Sequence, residues 1–339
     1  MIQRDDFKSL SQAPEILVAE GLRKSYGPRC ALQGLSFSLM AGHILGFLGP
    51  NGAGKTTSIR ILTTMMEPDA GHFVIDGIGS EHPNEIRQRI GVLPENPGFP
   101  RHMTGLEYIA YFGQLYGRTA AEAREHALGL LEDVGMQQRA KSLIGSYSHG
   151  MRQRIGIARA LVNDPVIVFL DEPTLGLDLR GRQELLELVQ RIARERNTAI
   201  VLCSHLLSEI ERLCDDVVIL NVGYVVARGS VAEVIGRVEK NIVLRNILRV
   251  QVPPDSVTQA QQILESLPNI MTVTLAGGLA GYMELELAGA DNGDSGNVQQ
   301  INNKILSMLI RAKIPILRFE VEGGRLEDVF LHLTEDVIQ

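Results

Sequence analysis

One run of nine residues, Gly49-Pro50-Asn51-Gly52-Ala53-Gly54-Lys55-Thr56-Thr57, constrains this chain more than any other feature. It fits the pattern G-x-x-x-x-G-K-[ST], and its flanks supply the context that pattern needs: His43 to Leu48 reads as a buried strand and Ser58 to Thr64 as the helix that follows. Gly52 and Gly54 let consecutive backbone N–H groups turn inward around phosphate oxygens, at a helix N-terminus whose dipole favours an anion. Lys55 adds a point charge for β- and γ-phosphates, and Thr56 a hydroxyl of the kind that completes a Mg²⁺ shell. Strand, phosphate loop and helix in that order predict an α/β fold around a nucleoside triphosphate.

The rest of the first 240 residues supplies partners for that loop. Val166 to Leu170 is continuously apolar, as a central parallel strand is, and it ends in Asp171-Glu172. Carboxylates at the carboxyl end of such a strand stand where open α/β sheets bind ligands. Asp171 is positioned to hold Mg²⁺, directly or through water, and Glu172 to take a proton from an attacking water. A further strand, Thr198 to Leu202, leads into Ser204-His205, which puts His205 beside the same site as a γ-phosphate contact. Upstream, Tyr26 lies about one hairpin before the phosphate loop, an aromatic that either stacks on a base or serves as an ordinary strand residue. Between the phosphate loop and Asp171 the pattern turns helical over Thr104 to Gly117 and Thr119 to Gly135, the second opening with a Thr119-x-x-Glu122 capping box.

Charge and cysteine content narrow the function classes. With 33 basic and 40 acidic residues the chain carries −7, and 7 basic against 12 acidic residues lie from Asn241 onward, so neither part offers a general attraction to nucleic acid. The charged start, Met1 to Lys8, lacks the apolar core of a signal peptide, and no run is long enough to span a bilayer, which predicts a cytoplasmic protein. Cys30, Cys203 and Cys214 show no metal-ligand spacing and read as packed thiols.

Tyr147-Ser148-His149-Gly150-Met151-Arg152-Gln153, with the run to Leu161, resembles the signature motif and helix of ABC transporter ATPases. With Gly49 to Thr57, Asp171-Glu172-Pro173-Thr174, Gly176-Leu177-Asp178 and His205 it makes five motifs in family order over roughly Ile16 to Lys240. The resemblance implies a mixed sheet with a helical subdomain at about 97–162. It also implies an ATP site on Gly49 to Thr57 with Mg²⁺ on Thr56, Asp171 and Glu95, and catalysis by Glu172, His205 and Lys55. Two copies would pair head to tail, Ser148 and Gly150 of one closing over ATP on the other, with Tyr26 stacking on adenine and Asp178 communicating across the pair. Two positions depart from the usual pattern. The signature carries Tyr147, His149 and Met151 in place of Leu, Gly and Gln, and Glu95 stands where glutamine is common; both are similar to the ATPases of ABC-2 type exporters. That branch implies a separately encoded membrane permease, contacted through Glu95 to Tyr116, and a peripheral position on the inner face of the cell membrane.

Beyond Lys240 the elements run Ile247 to Val252, helix Ser256 to Leu267, Met271 to Leu275, Tyr282 to Leu287, helix Val298 to Ala312 and Leu317 to Val321. This β-α-β-β-α-β order predicts a ferredoxin-like α+β domain over 241–339, with a tail at 1–13 and the ATPase at 14–240. Leu248, Val250 and Val252 alternate with Arg249 and Gln251, so one face is core and the other solvated. Asp291 to Asn297 reads as a loop tip, and Leu326 to Thr334 resembles the ending of many ABC-2 exporter ATPases. The expected function is ATP hydrolysis for export. The alternative is a soluble ABC ATPase acting on nucleic acid or ribosomes, which the acidic balance and the absence of long coiled-coil insertions disfavour.

Overall fold

The computed structural model describes residues 14–241, 246–268, 270–275, 281–287, 295–321, 326–327 and 329–330. The expected tail at 1–13, Asp291 to Asp294 of the loop tip, and Asp328 and Leu331 to Thr334 of the terminal run lie outside them. One compact unit runs to Val231 and a second begins at Ala232, nine residues before the boundary read from the sequence.

In the first unit, β1 (Glu15–Tyr26) and β2 (Arg29–Met40) form a long hairpin, followed by β3 (Ile44–Leu48), α1 (Lys55–Leu62), β4 (Ala70–Ile75) and β5 (Ile78–Gly79). Then come α2 (Pro83–Arg89), β6 (Ile90–Leu93), α3 (Gly105–Leu115), α4 (Ala120–Asp133), α5 (His149–Ala160), β7 (Ile167–Asp171), α6 (Leu179–Glu195), β8 (Ala199–Cys203), α7 (Leu207–Leu213), β9 (Asp216–Asn221) and β10 (Tyr224–Ser230). Two sheets result. An antiparallel sheet has the order β2-β1-β4-β5, and a second has the order β10-β9-β3-β8-β7-β6, parallel throughout except for the β10 edge.

Sequence explains why the second sheet is central. Every residue of β3 (Ile-Leu-Gly-Phe-Leu) and of β8 (Ala-Ile-Val-Leu-Cys) is buried, as strands covered on both faces must be. Phe47 and Phe169 are wholly buried in one apolar cluster with residues of the antiparallel sheet, and the rings of Phe37 and Phe47 meet edge-on at 5.3 Å between the two sheets. Between β6 and β7 the chain leaves for the helical part, where the Thr119/Glu122 capping box is present and a second box joins Thr104 to Glu107. Tyr147, the first departure in the signature, is buried and its hydroxyl donates to the Arg139 carbonyl at 2.7 Å.

The second unit comprises α8 (Val231–Asn241, its first residue closing the unit before), β11 (Asn246–Gln251), α9 (Val257–Glu265), β12 (Ile270–Leu275), β13 (Tyr282–Leu287), α10 (Ser295–Arg311) and β14 (Arg318–Val321), with a sheet of order β12-β13-β11-β14. Leu248, Val250, Met283 and Leu285 pack with Ala260 and Leu264 of α9 and Ile305 and Leu309 of α10. The other face carries Arg249 paired with Glu284 at 2.9 Å and Arg318 donating to the Tyr282 hydroxyl at 3.0 Å. The alternation read from the sequence is therefore borne out. The loop tip is corrected in part: Ser295 to Asn297 already belong to α10. Among the described residues no helix is long and apolar enough to cross a membrane.

Candidate active site

The strand order delivers the site. β3, β8, β7 and β6 are neighbours in that sequence, and their carboxyl ends lead into the phosphate loop, His205, Asp171-Glu172 and Glu95 respectively. Register makes the alignment close, since Phe47, Cys203 and Asp171 lie in one row across three strands. Motifs separated by more than 150 residues thus open onto one cleft of about 630 Å³.

The phosphate loop enters α1 through Gly54, whose φ of 113° lies in the left-handed region; a Cβ there would stand 2.6 Å from the Ala31 carbonyl oxygen. α1 begins at Lys55, three residues earlier than the sequence pattern indicated, so Lys55, Thr56 and Thr57 form its first turn and all three line the cleft. Lys55 Nζ donates to the Gly49 carbonyl at 2.6 Å and to that of Pro50 at 3.2 Å. Asn51, Gly52 and Gly54 line the cleft too. Gly49, Pro50 and Ala53 shape the loop from behind, Ala53 being 2% exposed and donating its N–H to Pro50.

Opposite them, Asp171 closes β7 and Glu172 takes a left-handed φ of 49° that non-glycine residues seldom adopt. Glu172 Oε2 and His205 Nδ1 are 2.7 Å apart, the ring N–H donating. Burial pushes the Asp171 carboxyl up to about 6, with the charges of Glu172 and Glu95 adding to the effect and those of Lys55 and Arg60 opposing it. The three carboxylates of Glu95, Asp171 and Glu172, with the Thr56 hydroxyl in the same cleft, suit a Mg²⁺ completed by phosphate oxygens and water. An all-protein cage is absent: among the described residues no group of three or more His, Cys, Asp or Glu is placed to hold a metal. Cys203 and Cys214 are buried, their thiols raised well above the usual range by desolvation, which fits the packed-thiol reading.

Tyr26 ends β1 at the rim of the cleft, 44% exposed, its hydroxyl 3.2 Å from Met66 Sδ. Ser148, Gly150 and Asp178 stand apart from the cleft. Ser148 caps α5, accepting from the Met151 N–H at 3.3 Å, and Asp178 caps α6, accepting from that of Gly181 at 2.9 Å. His149 ties the two loops together, its Nε2 lying 2.7 Å from the Leu175 carbonyl oxygen. Sequence reasoning missed Arg29 and Arg60, cations that line the cleft. Arg60 was readable, since it lies one helical turn after Thr56 and Thr57; Arg29 reaches Gly52 only because the β1–β2 hairpin folds back over the loop.

Comparison with known proteins agrees with this geometry. A family model described as ABC transporter matches residues 32–175. The chain is 32% identical over 322 residues to the linearmycin resistance ATP-binding protein LnrL of Bacillus subtilis, covering 94% of this chain and 98% of that one. It is 34% identical over 259 residues to the daunorubicin/doxorubicin resistance ATP-binding protein DrrA of Streptomyces peucetius, 76% of each. Among solved structures, an ATP-binding subunit of an ABC transporter superposes with a TM-score of 0.57 at 30% identity, covering 65% of this chain and 91% of its own.

Proposed function

We propose, from the premise that this chain belongs to the ATP-binding proteins of ABC transporters and is an ATPase whose hydrolysis is coupled to transport, that it serves an ABC-2 type exporter as a homodimer beneath a separately encoded permease. The observation that carries the reading is the meeting of the phosphate loop, Asp171-Glu172 and His205 at three adjacent strand ends. Near end-to-end similarity to a resistance ATPase supports the export branch.

The first turn of α1 and Lys55 hold the β- and γ-phosphates, with Arg29 and Arg60 adding positive charge along the cleft. Thr56, Asp171 and Glu95 would hold Mg²⁺, which when bound neutralises phosphate charge. Glu172 orients a water for in-line attack on the γ-phosphorus and takes its proton. His205, fixed by Glu172 through Nδ1, presents Nε2 to the γ-phosphate. Tyr26 stacks on adenine at the rim, while Ser148 and Gly150, away from this cleft, close over the nucleotide of the second copy.

A groove of about 320 Å³ between β6 and α3, lined by Met65, Arg87, Phe112 and Tyr116, supports a permease contact on the face expected from the sequence. The chain would then sit on the cytoplasmic face of the membrane. The β-α-β-β-α-β order and the β12-β13-β11-β14 sheet support a ferredoxin-like reading for residues 241–339, beside an ATPase domain at 14–240 with its helical subdomain at about 97–162. Glu172→Gln tests the catalytic assignment. ATP binding should persist within about threefold while turnover falls at least ~10²-fold, the usual contribution of a proton-transfer group. Steady-state hydrolysis near the wild-type rate would refute it.

A further inference from the structure

The loop carrying Glu172 and the turn carrying His205 share a buried anchor outside the cleft. Glu209, in the first turn of α7, retains 6% exposure; Thr174 retains 1% and Ser204 none. Thr174 Oγ1 donates to Glu209 Oε2 at 2.9 Å, and Ser204 Oγ donates to the same oxygen at 2.8 Å. Ser204 Oγ also accepts from the Leu206 N–H at 3.1 Å, so the hydroxyl is held on both sides. Among the described residues Glu209 Oε1 has no hydrogen-bond partner.

Stability alone does not explain this arrangement. A buried carboxyl with one oxygen unpartnered is unfavourable, and an apolar residue of similar volume would pack the site at less cost. The two bonds it does make reach the residue two positions after Glu172 and the residue immediately before His205. Glu172 needs such support. Its left-handed backbone persists only where surroundings over-determine it; its own backbone is tied by its N–H to the Cys203 carbonyl at 3.0 Å and by its carbonyl accepting from Leu175 at 3.1 Å. Thr174 lies inside that turn, so its bond to Glu209 fixes the turn from below.

We propose that Glu209 is a positioning residue for ATP hydrolysis: by bridging Thr174 and Ser204 it locks the ends of β7 and β8 together and keeps Glu172 and His205 at their 2.7 Å separation. The inference rests on the catalytic assignment of Glu172 and His205 made above. It acts on geometry rather than on nucleotide affinity, because the phosphate loop follows a different strand.

The test uses the full chain, with kcat and KM from steady-state hydrolysis and affinity from titration with a fluorescent ATP analogue. Glu209→Ala should lower kcat ~10- to 100-fold, the scale of a small misplacement of reacting groups, while KM and affinity stay within about threefold. Thr174→Val removes the same bond from the other end and should give a similar loss. Combining the two should cost little more than either alone, as expected of residues acting through one contact. Glu209→Gln, which retains an oxygen acceptor for both hydroxyls, should recover most of the rate. A kcat within twofold of wild type in Glu209→Ala, or in Thr174→Val if the first variant does not fold, overturns the proposal. So does a parallel loss of affinity and turnover, which marks a merely structural role. If Glu172→Gln itself hydrolyses ATP normally, the catalytic assignment fails instead; an inactive Glu172→Gln beside a fully active Glu209→Ala sinks only the anchor.

Discussion

Asp171→Asn should stabilise the nucleotide-free protein although it removes a proposed Mg²⁺ ligand. The carboxyl is raised from 3.8 to about 6 by burial and by the neighbouring Glu172 and Glu95. A raised acid binds its proton more tightly in the folded chain than in the unfolded one, so folding is favoured below about 3.8 and that advantage is lost as pH rises through about 6. At 1.36 kcal/mol per pKa unit the full difference is about 3 kcal/mol. Part of the carboxyl reaches solvent, and screening there reduces the effect to about 1–2 kcal/mol. Asparagine keeps the shape and removes the charge. Above pH 7 the variant should therefore melt about 2–8 °C higher than wild type, for a domain of this size. The assay is thermal unfolding of both proteins from pH 5 to 8 with chelator and without nucleotide. The gap should narrow as pH falls through about 6, because protonation then relieves the wild type of the same charge. An Asn variant that melts at or below the wild-type temperature at pH 7.5, or a gap that widens on acidification, would refute the reasoning.

Three further outcomes follow from other parts of the molecule. Gly54→Ala forces a Cβ to 2.6 Å from the Ala31 carbonyl at a left-handed φ, so it should lose at least ~1–3 kcal/mol of stability and most ATP affinity; wild-type binding in a titration would count against the loop geometry. Tyr116→Glu should reduce recruitment to permease-containing membranes about tenfold with ATP affinity unchanged, and undiminished co-sedimentation would remove the groove from the permease contact. A chain ending at Lys240 should bind ATP within about threefold of the full chain, since among the described residues none lining the cleft lies beyond it; a folded product that fails to bind would overturn the two-domain partition.

The cleft was legible in the sequence because each of its parts ends a strand written in plain apolar code. Ile44 to Leu48, Ile167 to Leu170 and Ala199 to Cys203 need no partner to be recognised, and each is followed at once by its chemistry. Apart from Arg60, what escaped notice depends on pairing at a distance. Arg23 and Lys24 interrupt the apolar pattern of β1; in the fold they lie on a hairpin whose far end brings Arg29 over Gly52. Glu209 looks like any acid on a short amphipathic helix, and only the approach of Thr174 and Ser204 reveals that it is buried. Asp178 was read from its motif alone. Its role as the cap of α6 appears only in the fold, where the helix starts at Leu179.

The shared row of Phe47, Cys203 and Asp171 determines which parts of such a chain are free to vary. A strand advances about 3.3 Å per residue, so inserting or deleting one residue within β7 or β8 would carry Glu172 or His205 beyond hydrogen-bonding range of the other and away from the phosphate loop. The lengths of these strands are thereby tied to one another like teeth on meshed gears. The excursion through α3 and α4 is under no such restriction, since it leaves after the end of β6 and rejoins the chain before α5, which leads back to β7. Its length and surface can drift without disturbing the register of β7 and β8, so a lineage built on this sheet is able to change what that surface meets while its chemistry stays fixed.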